Sequence, residues 1–169
     1  MIKLKSKKAD FSSLIILGII MVFVIAMVGL FFSDSFSTML QSLKDTGQFS
    51  NKTTAIMTHV QDKTPQYFDF FVLFMMVSAV IGLIVASIYI DLPPGMMIVF
   101  IIAMLIAVFL AGQFANMWGM AKDISEVTDT SSKLTFTNLL LGSAFPIIIL
   151  ITSAIVIIVL YSKSKTGAV

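Results

Sequence analysis

The sequence predicts an all-α integral membrane protein with four transmembrane helices and short amphipathic helices in its outer loops. Three observations carry that prediction. The 169-residue chain is 58% hydrophobic and 12% charged, where a soluble domain has about a quarter of its residues charged. Its mean hydropathy is +1.02. Finally, Leu14–Phe32, Phe70–Ile90, Met96–Met117 and Leu139–Tyr161 are each 19 to 23 residues long and hold no charged residue. At about 1.5 Å per residue each can cross roughly 30 Å of hydrocarbon. A helix is required, because lipid offers the backbone no hydrogen-bond partner.

The same composition excludes other classes. Disorder needs few apolar residues and many charges. With no cysteine, the chain can form no disulfide, thiolate metal site or cysteine nucleophile. All eleven basic residues are lysines and the net charge is +2, a poor basis for nucleic-acid recognition.

Taken in order, the first span follows Lys3, Lys5, Lys7 and Lys8, a flank like that of a signal peptide. Its apolar run is longer than a signal core and ends in Phe31-Phe32-Ser33-Asp34, with no small-residue cleavage pattern. A retained signal anchor is expected. In the first outer loop, residues 33–69, Phe36, Met39, Leu40 and Leu43 have the spacing of a two-turn amphipathic helix. A second short helix is expected around Thr54–Val60, with Thr64-Pro65 ending the region. Asp91-Leu92-Pro93-Pro94-Gly95 is a tight turn, which makes the second and third spans an antiparallel hairpin.

In the second outer loop, residues 119–137, Met120, Ile124 and Val127 predict two further turns of the third helix. Asp129-Thr130-Ser131-Ser132 is expected to break it. Pro146 should kink the fourth span. The chain reads as one membrane domain over residues 1–169.

Charge sets the expected orientation. The two tails and the Asp91 turn hold six lysines against two aspartates, whereas the outer loops hold five lysines against seven acids. The positive-inside rule places both termini in the cytoplasm. Trp118 and Tyr161 fall where interfacial aromatic belts are expected.

Packing faces are visible too. Ala103, Ala107, Ala111 and Ala115 recur every four residues in the third span, as do Ser78, Gly82 and Ala86 in the second. Small residues at this spacing let membrane helices approach closely.

Chemistry is harder to find. The only histidine, His59, has just Asp62 nearby, so a surface role is favoured over a metal or triad role. Glu126, with Asp123 and Asp129, reads as a solvated helix face. Gln113 and Asn116 are the strongly polar side chains of the spans, suited to an inter-helix hydrogen bond or to the interface. Asn51-Lys52-Thr53 fits a glycosylation sequon too short to use. The spans lack the ionisable groups that ion and proton pathways usually need. No catalytic residue, cofactor or metal is expected.

Three classes fit this reading: a structural or assembly protein, an accessory subunit of a larger membrane complex, and a holin-like pore-former. A transporter is disfavoured, because paired broken helices are missing.

A resemblance sharpens the choice. Asp69-Phe70-Phe71 opens a span that Tyr89-Ile90-Asp91-Leu92-Pro93-Pro94 closes, and Ala111-Gly112-Gln113-Phe114-Ala115-Asn116 ends the next. The last span runs from Phe145-Pro146-Ile147-Ile148-Ile149-Leu150 to Val159-Leu160-Tyr161-Ser162-Lys163. This arrangement resembles small multi-span membrane proteins of tailless bacteriophages that carry an internal membrane beneath a double-jelly-roll capsid. The likeness covers roughly Asp69 to Lys165. It departs at the turn, where Asp-x-His-Pro in such proteins is Asp91-Leu92-Pro93-Pro94 here.

The resemblance implies a virion protein that shapes the internal membrane and anchors it to the capsid, having entered through the host inner membrane. Its partners would be the lipid bilayer, other virion membrane or capsid proteins, and copies of itself, with no direct nucleic-acid binding. Lys3, Lys5, Lys7, Lys8, Lys163 and Lys165 would meet the membrane surface or the shell.

Overall fold

A computed structural model describes the backbone of residues 9–89 and 94–166, and the side chains of residues 16–89 and 97–163. Six helices follow one another, with no strand among the described residues: α1 (Ala9–Asp45), α2 (Asn51–Tyr89), α3 (Pro94–Lys122), α4 (Thr128–Ser132), α5 (Thr135–Leu141) and α6 (Ala144–Thr166). α1, α2, α3 and α6 are long and apolar enough to cross a membrane. The all-α, four-span architecture is therefore present. Lys3, Lys5, Lys7 and Lys8 lie outside the described residues, as do most of the Asp91 turn and the side chain of Lys165.

The main pairings are α1 with α2 and α3 with α6, and α2 also packs on α6. One core runs through all four spans and includes Phe23, Leu30, Met76, Met104, Ala107, Phe145 and Val156. The Phe23 and Phe114 rings stack across it at 4.6 Å between centroids. The outward side chains of the spans, such as Val28, Phe74, Leu105 and Ile158, are exposed and apolar, as hydrocarbon contact requires.

Several boundaries differ from the sequence expectation. The amphipathic segment Phe36–Leu43 is not a separate helix: α1 passes through Ser33-Asp34-Ser35 without a break and ends at Asp45. Serine and aspartate are only weakly unfavourable inside a helix, and no proline or glycine stops it there. α2 likewise starts at Asn51, with Ser50 Oγ accepting a hydrogen bond from the Thr53 amide, and runs through Thr64-Pro65 into the span.

Proline inside a helix removes one hydrogen bond and costs about 3 kcal/mol. Here Pro65 is fully buried. Beside it, Gln61 donates to Ser37 Oγ at 2.9 Å and accepts from Lys44 Nζ. Packing against α1 outweighs the local preference. Residues 33–69 consequently form a helical hairpin. Its arm from Ser33 to Asp45 reaches about 20 Å beyond the first span at 1.5 Å per residue. Gly47, at φ +67°, turns the chain at the tip.

The other outer connection folds down instead. α3 ends at Lys122, short of the two extra turns expected, and the residues expected to break it, Asp129–Ser132, lie in α4. The fourth span is interrupted at Gly142–Ser143, so α5 is a separate short helix and α6 begins at Ala144. Gly142 allows this: a Cβ there would lie 2.5 Å from the Asn138 carbonyl oxygen. Pro146 is only the third residue of α6. In a first turn its missing N–H breaks no helical hydrogen bond, so no kink is required.

Candidate functional site

Polar side chains gather at the end of the bundle where α4 and α5 lie against α1 and α2. Asp69 is central. It stands at the foot of the hairpin arm of α2 and is only 4% exposed. Its two carboxylate oxygens accept hydrogen bonds from the amides of Phe136 (2.9 Å) and Thr137 (2.6 Å). Those amides belong to the first turn of α5, whose own N-cap residue, Leu134, offers no side-chain acceptor. A helix leaves its first amides unpaired and carries a partial positive charge there. Asp69 supplies the missing acceptor from another helix.

Two further contacts bind the same elements. Thr130 Oγ1 donates to Asp34 Oδ1 at 3.1 Å, joining α4 to α1. Lys133 Nζ pairs with Asp62 Oδ1 at 3.2 Å across exposed surface. Underneath, the Trp118 indole donates to Asn138 Oδ1 at 3.0 Å, and Asn138 Nδ2 donates to the Ser131 carbonyl at 2.7 Å. Trp118 is fully buried, which corrects the expectation of an interfacial belt residue. Its ring anchors the α4–α5 connection from inside. Tyr161, at 59% exposure, remains at the opposite rim.

The opposite end of the bundle carries a matching contact. Lys163 Nζ, on α6, donates to the Ile88 carbonyl at 2.6 Å, in the last turn of α2. A cation is favourable at a helix C-terminus for the same reason that Asp69 is favourable at an N-terminus.

The two small-residue faces have different surroundings. Ala107 and Ala111 are completely buried, with Ala103 and Ala115 partly so. On α2, Ser78 and Gly82 are exposed, and a Cβ on Gly82 would meet nothing within 4 Å; only Ala86 is partly buried. The expected close approach along Ser78 and Gly82 is therefore absent within this chain. α2 turns its Val72–Met76 face to the core instead.

The remaining candidates are dispersed. His59 sits exposed on the hairpin, and Glu126 accepts a hydrogen bond from the neighbouring Ser125. Gln113 and Asn116 are both exposed. No group of three or more metal-ligating side chains occurs among the described residues. A cavity of about 10 Å³, lined by Ile19, Leu83, Met104, Ile149, Thr152 and Ser153, lies where the four spans meet. It has room for about one water molecule.

Sequence reasoning did not single out Asp34 or Asn138, and it noted Asp69 only as the opening of a span. The available signal was that Asp69 is an acid directly bordering an apolar run, with an uncapped short helix elsewhere in the chain. No protein-family model matches this chain, and no curated protein or solved structure is similar to it.

Proposed function

We propose that this chain is a non-enzymatic structural protein of a virion membrane, which shapes the internal membrane of a bacterial virus and anchors it to the capsid. The observation that supports this most is how the polar groups at the bundle ends are used. Asp34, Asp69, Trp118 and Asn138 at one end, and Lys163 at the other, each fix one helix to another. Such contacts make a fixed shape, with a stiff arm projecting about 20 Å from the lipid. The resemblance over Asp69 to Lys165 points the same way.

In this reading both termini lie in the host cytoplasm, and the particle membrane curves towards that side. The lysine tails then face the shell, where each cation near an anionic surface contributes about 1 kcal/mol. The outer loops, with seven acids against five lysines, face the particle interior and repel packaged DNA. That suits membrane shaping and anchoring better than genome binding.

Two experiments test the proposal. Single cysteines at Ser50 and Ser164 report topology in a chain that has none of its own. An impermeant thiol reagent outside intact cells should label position 50 and leave 164 untouched; the reverse result overturns the orientation. For function, the protein should accumulate in the inner membrane without lysis and be present in purified particles. Abrupt lysis on induction, with none of the chain in particles, would replace this reading with the pore-forming one.

A further inference from the structure

Pro65 leaves α2 short of one donor. A helical carbonyl bonds to the amide four residues further on, and proline has no N–H, so the Gln61 carbonyl lacks that partner in its own helix. Buried backbone carbonyls are nearly always paired. In membrane helices, serine or threonine hydroxyls and ordered waters supply what a proline removes.

An unused donor lies opposite, on α1. Ser33 is only 1% exposed, and its hydroxyl is one of two buried side-chain groups among the described residues with no hydrogen-bond partner. The usual local option is open to a helical hydroxyl: Ser42, Thr58, Thr64 and Thr152 each donate to the carbonyl four residues back. Ser33 does not take it.

The two groups share one height and one seam. A turn towards the tip of the hairpin, Gln61 Nε2 donates to Ser37 Oγ at 2.9 Å. A turn the other way, Phe68 packs so closely on Gly29 that a Cβ there would lie 3.0 Å from its ring. In an antiparallel pair, those two ties place Ser33 level with residues 64 and 65. Ser33 is four residues from both Gly29 and Ser37, so it shares the face that they turn to α2. Pro65 is four residues from Gln61 and three from Phe68, on the face of α2 turned to α1, and it is fully buried. The Gln61 carbonyl, directed along the helix towards residue 65, ends at the same level.

We infer that one water molecule is bound in this seam, accepting a hydrogen bond from the Ser33 hydroxyl and donating one to the Gln61 carbonyl. The chemistry selects water. Whatever joins these groups must accept from a hydroxyl and donate to a carbonyl, and no protein acceptor is in direct reach of Ser33 Oγ. Water is the smallest molecule that does both, and the seam is closed by packed side chains. Two protein partners meet the minimum for a buried water. The bound water replaces the hydrogen bond that Pro65 removes, and it ties α1 to α2 where the arm meets the span. The site is independent of the proposed viral role.

The first test is a double-mutant cycle on the full chain in detergent, with thermal unfolding followed by Trp118 emission. Ser33→Ala should lower the midpoint by about 3 °C, because the Gln61 carbonyl then loses its bridge. Pro65→Ala restores the missing amide, so adding Ser33→Ala to it should lower the midpoint by less than about 1 °C, or raise it. A buried hydroxyl without a role predicts the opposite sign in the parent chain, since removing an unpaired polar group stabilises. A neutral or stabilising Ser33→Ala in the parent chain, or an equal effect in both backgrounds, overturns the inference. The second test looks for the water by nuclear magnetic resonance on chain carrying isotope-labelled proline. The Pro65 ring protons should show a cross-peak to long-lived water, and Ser33→Ala should abolish it. A Pro65 ring without that cross-peak overturns the inference in favour of a direct hydroxyl-to-carbonyl bond.

Discussion

Between α1 and α2 the chain leaves the membrane as two unbroken helices and returns through a short turn at Gly47. Between α3 and α6 it makes two helices of five and seven residues that lie down on the bundle. The physical difference is where the backbone finds its partners. A long helix satisfies nearly all its own amides and carbonyls, so the hairpin needs few outside contacts. A helix of one or two turns has mostly unpaired end groups. Neither α4 nor α5 receives a side-chain cap from its own N-cap residue. The short connection therefore depends on the hairpin: Asp69 caps α5 and Asp34 holds α4. The arm could stand without the cap, but the cap could not stand without the arm.

Removing Asp69 tests that dependence most severely. In Asp69→Ala the Phe136 and Thr137 amides lose their acceptor, and each buried donor left unpaired costs about 1–3 kcal/mol. The emission of Trp118, the only tryptophan, should report earlier thermal unfolding in detergent. Limited proteolysis should open residues 123–143 while the tip at residues 46–50 is cut as before. Asp69→Asn keeps one acceptor and should lose less. Equal cleavage at both connections would break the comparison.

Next in size is overpacking on α3. Leucine at Ala111, which is completely buried, should cost about 1–3 kcal/mol and lower the recovery of folded protein. Leucine at exposed Ser78 or Gly82 should leave the folded monomer within about 0.5 kcal/mol. A reversed order would put the packing face on α2.

The two turn glycines sharpen the contrast further. Gly142→Ala drives a Cβ to 2.5 Å from the Asn138 carbonyl oxygen, so backbone must move. Gly47→Ala meets open space and bears only the strain of positive φ, about 1 kcal/mol. The melting temperature should fall further for Gly142→Ala. Smallest of all is Asp62→Asn, which breaks an exposed pair with Lys133 worth at most about 0.5 kcal/mol. A large loss there would mean that the cap is held from its rim instead of by Asp69.

The spans were legible because lipid imposes its demand on every residue of a run at once: about twenty apolar side chains without charge have no other stable arrangement. Pro65 and Pro146 were not legible in this way. Pro65 carries the same local preference as any helix-breaker, yet it lies inside α2, because its ring is buried and Gln61 is held by α1. Pro146 was assigned a kink because the start of α6 was placed too early; what ends α5 is the lack of a Cβ at Gly142. Trp118 shows the same limit. Its place near a span end suggests the membrane interface, but burial beneath α5 depends on Asn138, twenty residues away.

The candidate site was legible only in outline. The clustering of Asp34, Asp62 and Asp69 on one side of the hairpin follows from two helices being longer than their spans, and no composition or spacing within the loop reveals that length. The small-residue faces divide similarly. Periodicity marks Ala107, Ala111, Ser78 and Gly82 alike, but only the placement of α3 between α1 and α6 decides which are buried.

The sequence by itself determined the class, the number of spans and their approximate ends, since these follow from side-chain transfer into lipid, residue by residue. Only the tertiary structure decided where helices stop outside the lipid, which small residues touch a neighbour, and which acid caps which helix. Those outcomes rest on pairings between residues 20 to 96 positions apart, such as Trp118 with Asn138 and Asp34 with Thr130, and no local pattern encodes such a pairing.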